Sequence, residues 1–143
     1  MTERTIISLS GLRVMVAEDQ LLIAELIEEI LLSLDCIVVG PVRNLDDALC
    51  AIRTNEIDGA LLDLNLGGTR IDPAARELAL RNIPFIMMTG QGNLLECPAL
   101  IAQAPVLYKP FKIQQLEGIM MGTFRPQAGS GCIGLARNPR QAA

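Results

Sequence analysis

The chain has no histidine and no tryptophan, a single tyrosine, and only two lysines, Lys109 and Lys112, among its 143 residues. Without histidine there is no imidazole base. Four cysteines, Cys36, Cys50, Cys97 and Cys132, form no Cys-x-x-Cys pair, so zinc and haem sites and histidine-based catalysis are not expected. Basic patches are scarce too. Between residues 18 and 47 eight acids face only Arg43, and the net charge is -4, which argues against a nucleic-acid surface there. No stretch approaches the roughly 18 uninterrupted apolar residues of a membrane span, and no secretory signal opens the chain, so a cytoplasmic protein with reduced thiols and no membrane partner is expected.

What the sequence does have is a repeated alternation. Short apolar runs recur at Leu12 to Ala17, Cys36 to Gly40, Gly59 to Asp63, Pro84 to Thr89 and Pro105 to Tyr108, each of strand length. Between the first two, Ile23, Ile27, Ile30 and Leu34 recur at helical spacing, with Glu25, Glu28, Glu29 and Ser33 on the other face. Asn44 to Arg53 predicts a second helix, Asp72 to Arg81 a third with Pro73 in its first turn, and Lys112 to Met121 a last one. Strands alternating with helices imply parallel pairing, because parallel neighbours need a crossover. The expected fold class is α/β, a (βα)5 arrangement. Gly90, Gly92 and Pro98 interrupt the segment Gln91 to Gln103, so its helix should be short or partly melted.

The expected organisation is one domain over residues 12–122, preceded by an extension over 1–11 and followed from residue 123 by a disordered tail. That tail, with three arginines and no acids, is too short for an output domain, since domains rarely fold alone below about 40 residues.

In parallel α/β sheets, ligands bind beyond the carboxyl ends of the strands. Those ends carry the chemistry here: the first run finishes in Glu18-Asp19, the third in Asp63, the fourth in Thr89 and the fifth in Lys109. Three carboxylates on one rim repel one another and raise each other's pKa unless a cation intervenes, and a magnesium ion suits an all-oxygen site. Asp63 could then attack phosphorus, with Thr89 and Lys109 neutralising charge. Each residue alone also has a plainer reading. Asp19 could cap a helix, Glu18 could be a solvated loop acid, Asp63 could cap the next segment, and Thr89-Gly90 could be an ordinary strand exit. It is their joint occurrence at equivalent strand ends that favours chemistry.

With these residues in place, Glu18-Asp19, Asp63, Thr89 and Lys109-Pro110-Phe111 resemble the signature of response-regulator receiver domains, over residues 12 to 121. The resemblance implies a flavodoxin-like fold with strand order 2-1-3-4-5. It implies that Asp63 accepts a phosphoryl group, that Glu18, Asp19, Asp63 and the backbone carbonyl of Asn65 hold Mg2+, and that Thr89 and Lys109 bind the phosphoryl oxygens. It also implies a cis Lys109-Pro110 bond. The implied donor is a histidine kinase or a histidine phosphotransfer protein, and the implied output is altered binding of a protein target or service as a phosphate sink. Lacking histidine, the chain cannot itself be the histidine-bearing donor.

Pro84-Phe85-Ile86-Met87-Met88-Thr89-Gly90-Gln91-Gly92 further resembles a stand-alone subgroup with the Pro-Phe-x-Phe-Ala-Thr-Gly-Tyr-Gly type of motif; Met88 and Gln91 depart from it. Val106 stands where ordinary receivers place a switching aromatic residue. Tyr108 is expected on the opposite sheet face, and the segment Gly90 to Pro98 is expected to reorder on phosphorylation instead. Two other classes share parts of this pattern. A haloacid-dehalogenase-type phosphatase would need a second acid two residues after its nucleophile, where Asn65 stands. A phosphorylation-independent pseudo-receiver scaffold would not need the acids, Thr89 and Lys109 intact.

Overall fold

Three of the apolar runs are hydrophobic on both faces, which suits the middle of a covered parallel sheet. They become β1 (Arg13–Ala17), β3 (Gly59–Asp63) and β6 (Phe85–Thr89), buried along nearly their whole length in the computed structural model, which describes residues 9–90, 94 and 97–124. The less buried β2 (Ile37–Val42) and β7 (Val106–Tyr108) take the edges. The sheet is parallel throughout, in the order β2-β1-β3-β6-β7, which is 2-1-3-4-5 when only its own strands are counted. This is the flavodoxin-like order that the resemblance implies.

Side-chain alternation along the strands divides the core in two. Met15, Ala17, Ala60, Leu62 and Met87 point to a cluster covered by α2 (Leu45–Thr54), α3 (Asp72–Leu80) and the four-residue α4 (Ala99–Ala102). Val14, Val16, Leu61, Ile86 and Met88 point the other way, under α1 (Leu21–Ser33) and α5 (Ile113–Thr123). Each fully buried Ile or Leu in these clusters contributes about 1.5–3 kcal/mol. The stripe on α1 consists of Ala24, Ile27, Ile30 and Leu31, with Ile23 and Leu34 packed at its margins.

Local signals set most boundaries. Asn44 caps α2 by accepting the Asp47 N–H at 2.8 Å. α1 and α3 both end in left-handed residues, Asp35 (φ 64°) and Asn82 (φ 60°). In each case the next N–H reaches back to the third-last helical carbonyl: Cys36 to Leu31 and Ile83 to Leu78, both at 2.9 Å.

Three features differ from the sequence expectation. β2 does not stop at Gly40 but continues through a cis Gly40-Pro41 bond to Val42, because an edge strand tolerates a residue with no N–H to donate. α5 runs to Thr123, and Phe124 is buried, so these two residues pack with the fold rather than with the tail. Leu9, assigned to the N-terminal extension, is likewise buried. The third is a hairpin of β4 (Asn65–Leu66) and β5 (Thr69–Arg70), inserted between β3 and α3. Its two-residue turn has Gly67 at φ 61° and Gly68 at φ 87°, the positive pair that a type I′ turn requires. Residues 1–8 of the extension and 125–143 of the tail lie outside the described residues. Among the described residues, no helix is long and apolar enough to cross a membrane.

Candidate functional site

The carboxyl ends of β1, β3, β6 and β7 bring the expected residues to one rim. Glu18 follows β1 and is fully buried, so it is not a solvated loop acid. Its Oε2 accepts the Gln20 N–H at 3.1 Å, and its Oε1 forms an ion pair with Lys109 Nζ at 2.7 Å. That Oε1 contact lacks hydrogen-bond geometry, and among the described residues no other donor reaches this buried atom. Asp19 does not cap α1: the cap position is Gln20, with no side-chain cap bond, and Asp19 Oδ2 instead accepts the Gly67 N–H at 3.0 Å.

Asp63 ends β3 with 9% of its surface exposed, and its Oδ2 accepts from Lys109 Nζ at 3.3 Å. Thr89 ends β6 and is buried. Lys109 follows β7, its N–H donates to the Thr89 carbonyl at 2.9 Å, and the bond to Pro110 is cis, as the resemblance implies. Asn65 pairs with Arg70 across the hairpin, and the neighbouring Leu64 carbonyl takes the Ile71 N–H at 3.0 Å. Bonded and unbonded pairs alternate in an antiparallel ladder, which leaves the Asn65 carbonyl turned away from its partner strand. A cleft of about 570 Å3 is lined by Asp19, Asp63, Asn65, Gly90, Lys109 and Pro110, among others.

The electrostatics follow from burial and charge. One oxygen from each of Glu18, Asp19 and Asp63 lies within 4.8 Å of the others. Burial is the main cause that pushes the Asp63 carboxyl up to about 6; the Glu18 charge adds to it and Lys109 partly offsets it. One ammonium thus faces several acids, and a buried acid oxygen lacks a donor. An all-oxygen donor set with excess negative charge fits a hard divalent cation such as Mg2+.

Some of the geometry was not expected. The Gly67 N–H and the Gln20 N–H both hold acids of the rim. A Gly-Gly pair between short runs is a hairpin signal, and it could have revealed the first of these. The expectation for Tyr108 is corrected: Val106 packs with the cluster under α2, α3 and α4, Leu107 packs with the opposite one, and alternation returns Tyr108 to the face of Val106. Tyr108 is 53% exposed there. Most of the Gly90 to Pro98 segment, Gln91 included, lies outside the described residues.

Comparison with known proteins places this geometry. The model of the response regulator receiver domain family matches residues 14–120. The chain is similar in structure to the BeF3-activated conformation of SdrG from Pseudomonas melonis Fr1, with 36% identity and a TM-score of 0.64, over 78% of this chain and 95% of that one. It is similar to the receiver domain of the sensor histidine kinase PA1611 from Pseudomonas aeruginosa PAO1, solved with a magnesium ion coordinated in the active site cleft. The identity there is 27% and the TM-score 0.66, over 79% and 97% of the two chains. It also resembles the response regulator PhyR from Brucella abortus, at 29% identity and a TM-score of 0.71, over 82% of this chain but only 49% of that protein. Among curated proteins, none matches the sequence.

Proposed function

Since the chain belongs to the response regulator receiver family, we propose that it is a phosphorylation switch in which Asp63 accepts a phosphoryl group from a histidine kinase or a histidine phosphotransfer protein. Response-regulator signalling is the family's general role, and what is proposed is this residue, this donor and the roles below. The observation that carries the reading is the position of Lys109 Nζ, 2.7 Å from Glu18 and 3.3 Å from Asp63 at the edge of an open cleft.

Glu18, Asp19, Asp63 and the carbonyl of Asn65 would hold Mg2+, as in the PA1611 receiver a magnesium ion sits in the active site cleft. The ion supplies neutralisation of phosphoryl charge. Asp63, ionised above about pH 6, supplies the attacking oxygen. A bond forms from that oxygen to phosphorus as the bond from phosphorus to the donor's nitrogen breaks, and the donor imidazole keeps the electron pair. The Lys109 ammonium and the Thr89 hydroxyl receive the phosphoryl oxygens, and Glu18, fixed by the Gln20 N–H, keeps Lys109 in place.

The stand-alone subgroup with the Pro-Phe-x-Phe-Ala-Thr-Gly-Tyr-Gly type of motif is proposed on Pro84 to Gly92, with action in the cytoplasm. Output passes through altered binding of a protein partner or through draining phosphoryl groups from a kinase. The BeF3-activated conformation of SdrG supports a two-state reading. The test is incubation with acetyl phosphate and Mg2+ followed by intact-mass analysis. Native protein gains one phosphoryl mass and Asp63→Asn gains none; equal labelling of both removes Asp63 from its role.

A further inference from the structure

Asp19 is held from outside the sheet rim. Its Oδ2 accepts the N–H of Gly67, 48 positions along the chain, at 3.0 Å. The type I′ turn presents that N–H, and Arg43 Nη2 donates to the main-chain carbonyl of Asp19 at 3.4 Å. Asp19 is thus held at its carboxylate by the β4–β5 turn and at its main chain by Arg43. The bond from Gly67 takes one lone pair of Oδ2 and fixes the rotation of the carboxylate, which favours approach of an ion to a single oxygen.

Two-oxygen ligation separates the common divalent ions. Mg2+ is small, keeps an octahedron of single oxygens and retains several waters, whereas Ca2+ takes more ligands and accepts carboxylates with both oxygens. We propose that the Gly67 N–H restricts Asp19 to single-oxygen ligation and thereby sets the preference of this site for Mg2+ over Ca2+. Gly67 acts through Asp19 and is a positioning residue. The inference rests on the reading of Glu18, Asp19 and Asp63 as a cation site, and goes beyond it in assigning selectivity to the β4–β5 turn.

The decisive variant replaces the Gly67 amide by an ester, made by ligation of synthetic segments, which removes the N–H and keeps the glycine conformation. Gly67→Pro would also remove the N–H but cannot adopt the positive φ, so it is a poorer choice. Calorimetric titration of Mg2+ alone and of Ca2+ alone into native and ester proteins gives four affinities. The expected result is about a tenfold loss for Mg2+ with Ca2+ affinity kept or raised, in the range of outer-shell effects on metal sites. An equal change for both ions, or none, overturns the proposal while leaving the cation site standing. Failure of the native protein to bind Mg2+ removes the cation site itself, and the proposal with it.

A second measurement needs no variant. The Gly67 amide of the native protein is expected to stay protected from hydrogen exchange when Mg2+ is saturating. Loss of that protection on Mg2+ binding would show that the bond does not survive in the loaded site, and would also overturn the proposal.

Discussion

Lys109 Nζ lies closer to Glu18, at 2.7 Å, than to the expected nucleophile Asp63, at 3.3 Å. The ammonium is therefore shared between two acids, one of them fully buried. Removing it leaves an uncompensated buried charge, the costliest way to break such a pair.

Lys109→Met is accordingly expected to destabilise the metal-free protein by on the order of 3 kcal/mol. Glu18→Gln in the same chain should restore a large part of that loss, because the unpaired charge is gone. Urea unfolding of both singles and the double variant, in chelator, reads the coupling. Additive losses would show that Lys109 and Glu18 do not share their stabilisation in solution.

Asp63 predicts a pH dependence. Its carboxyl rises from 3.8 to about 6 in the fold, so between those values the folded chain holds a proton that the unfolded chain has lost. Folding stability from this group is then greatest below about 3.8, falls as pH rises through about 6, and stays low above it. Asp63→Asn removes the titration. In chelator, the melting temperature of the variant should gain on that of the native protein across this window and then level off. Added Mg2+ should stabilise the native protein more above about pH 6 than below it, since protons compete for Asp63. A pH-independent difference between the two proteins would place the ionisation elsewhere.

Gly59, the first residue of β3, faces the ring of Phe124, and a Cβ there would lie 2.6 Å from two ring carbons. Gly59→Ala should cost about 1–3 kcal/mol by overpacking. Phe124→Leu in the same chain should cost less than the sum of the singles, because the smaller side chain leaves room. Thermal unfolding checks this, and strict additivity would show that the ring is not the obstacle.

The five sheet strands and the rim residues were legible because both follow from one-dimensional patterns. Apolar runs such as Leu61-Leu62 and Ile86-Met87-Met88 mark buried strands, and in a parallel sheet every such run delivers its last residue to the same edge. The pairings within the rim were not legible. Nothing local to Asp19 announces that its partner is an amide 48 residues away, or that Lys109 prefers Glu18 to Asp63. The end of β2 was misjudged because Pro41 reads as a terminator unless the strand is known to lie on an edge. Tyr108 was assigned to the wrong face although it stands two residues from Val106, the spacing that returns a side chain to the same side.

The bond from the Lys109 N–H to the Thr89 carbonyl, at 2.9 Å, fastens the ends of β6 and β7 through their main chains. A shift of one backbone at this point stretches or breaks the bond unless the other follows. Movement of Thr89 would therefore be felt at the main chain of Lys109, while the four methylenes of that side chain let its ammonium keep its two acidic neighbours.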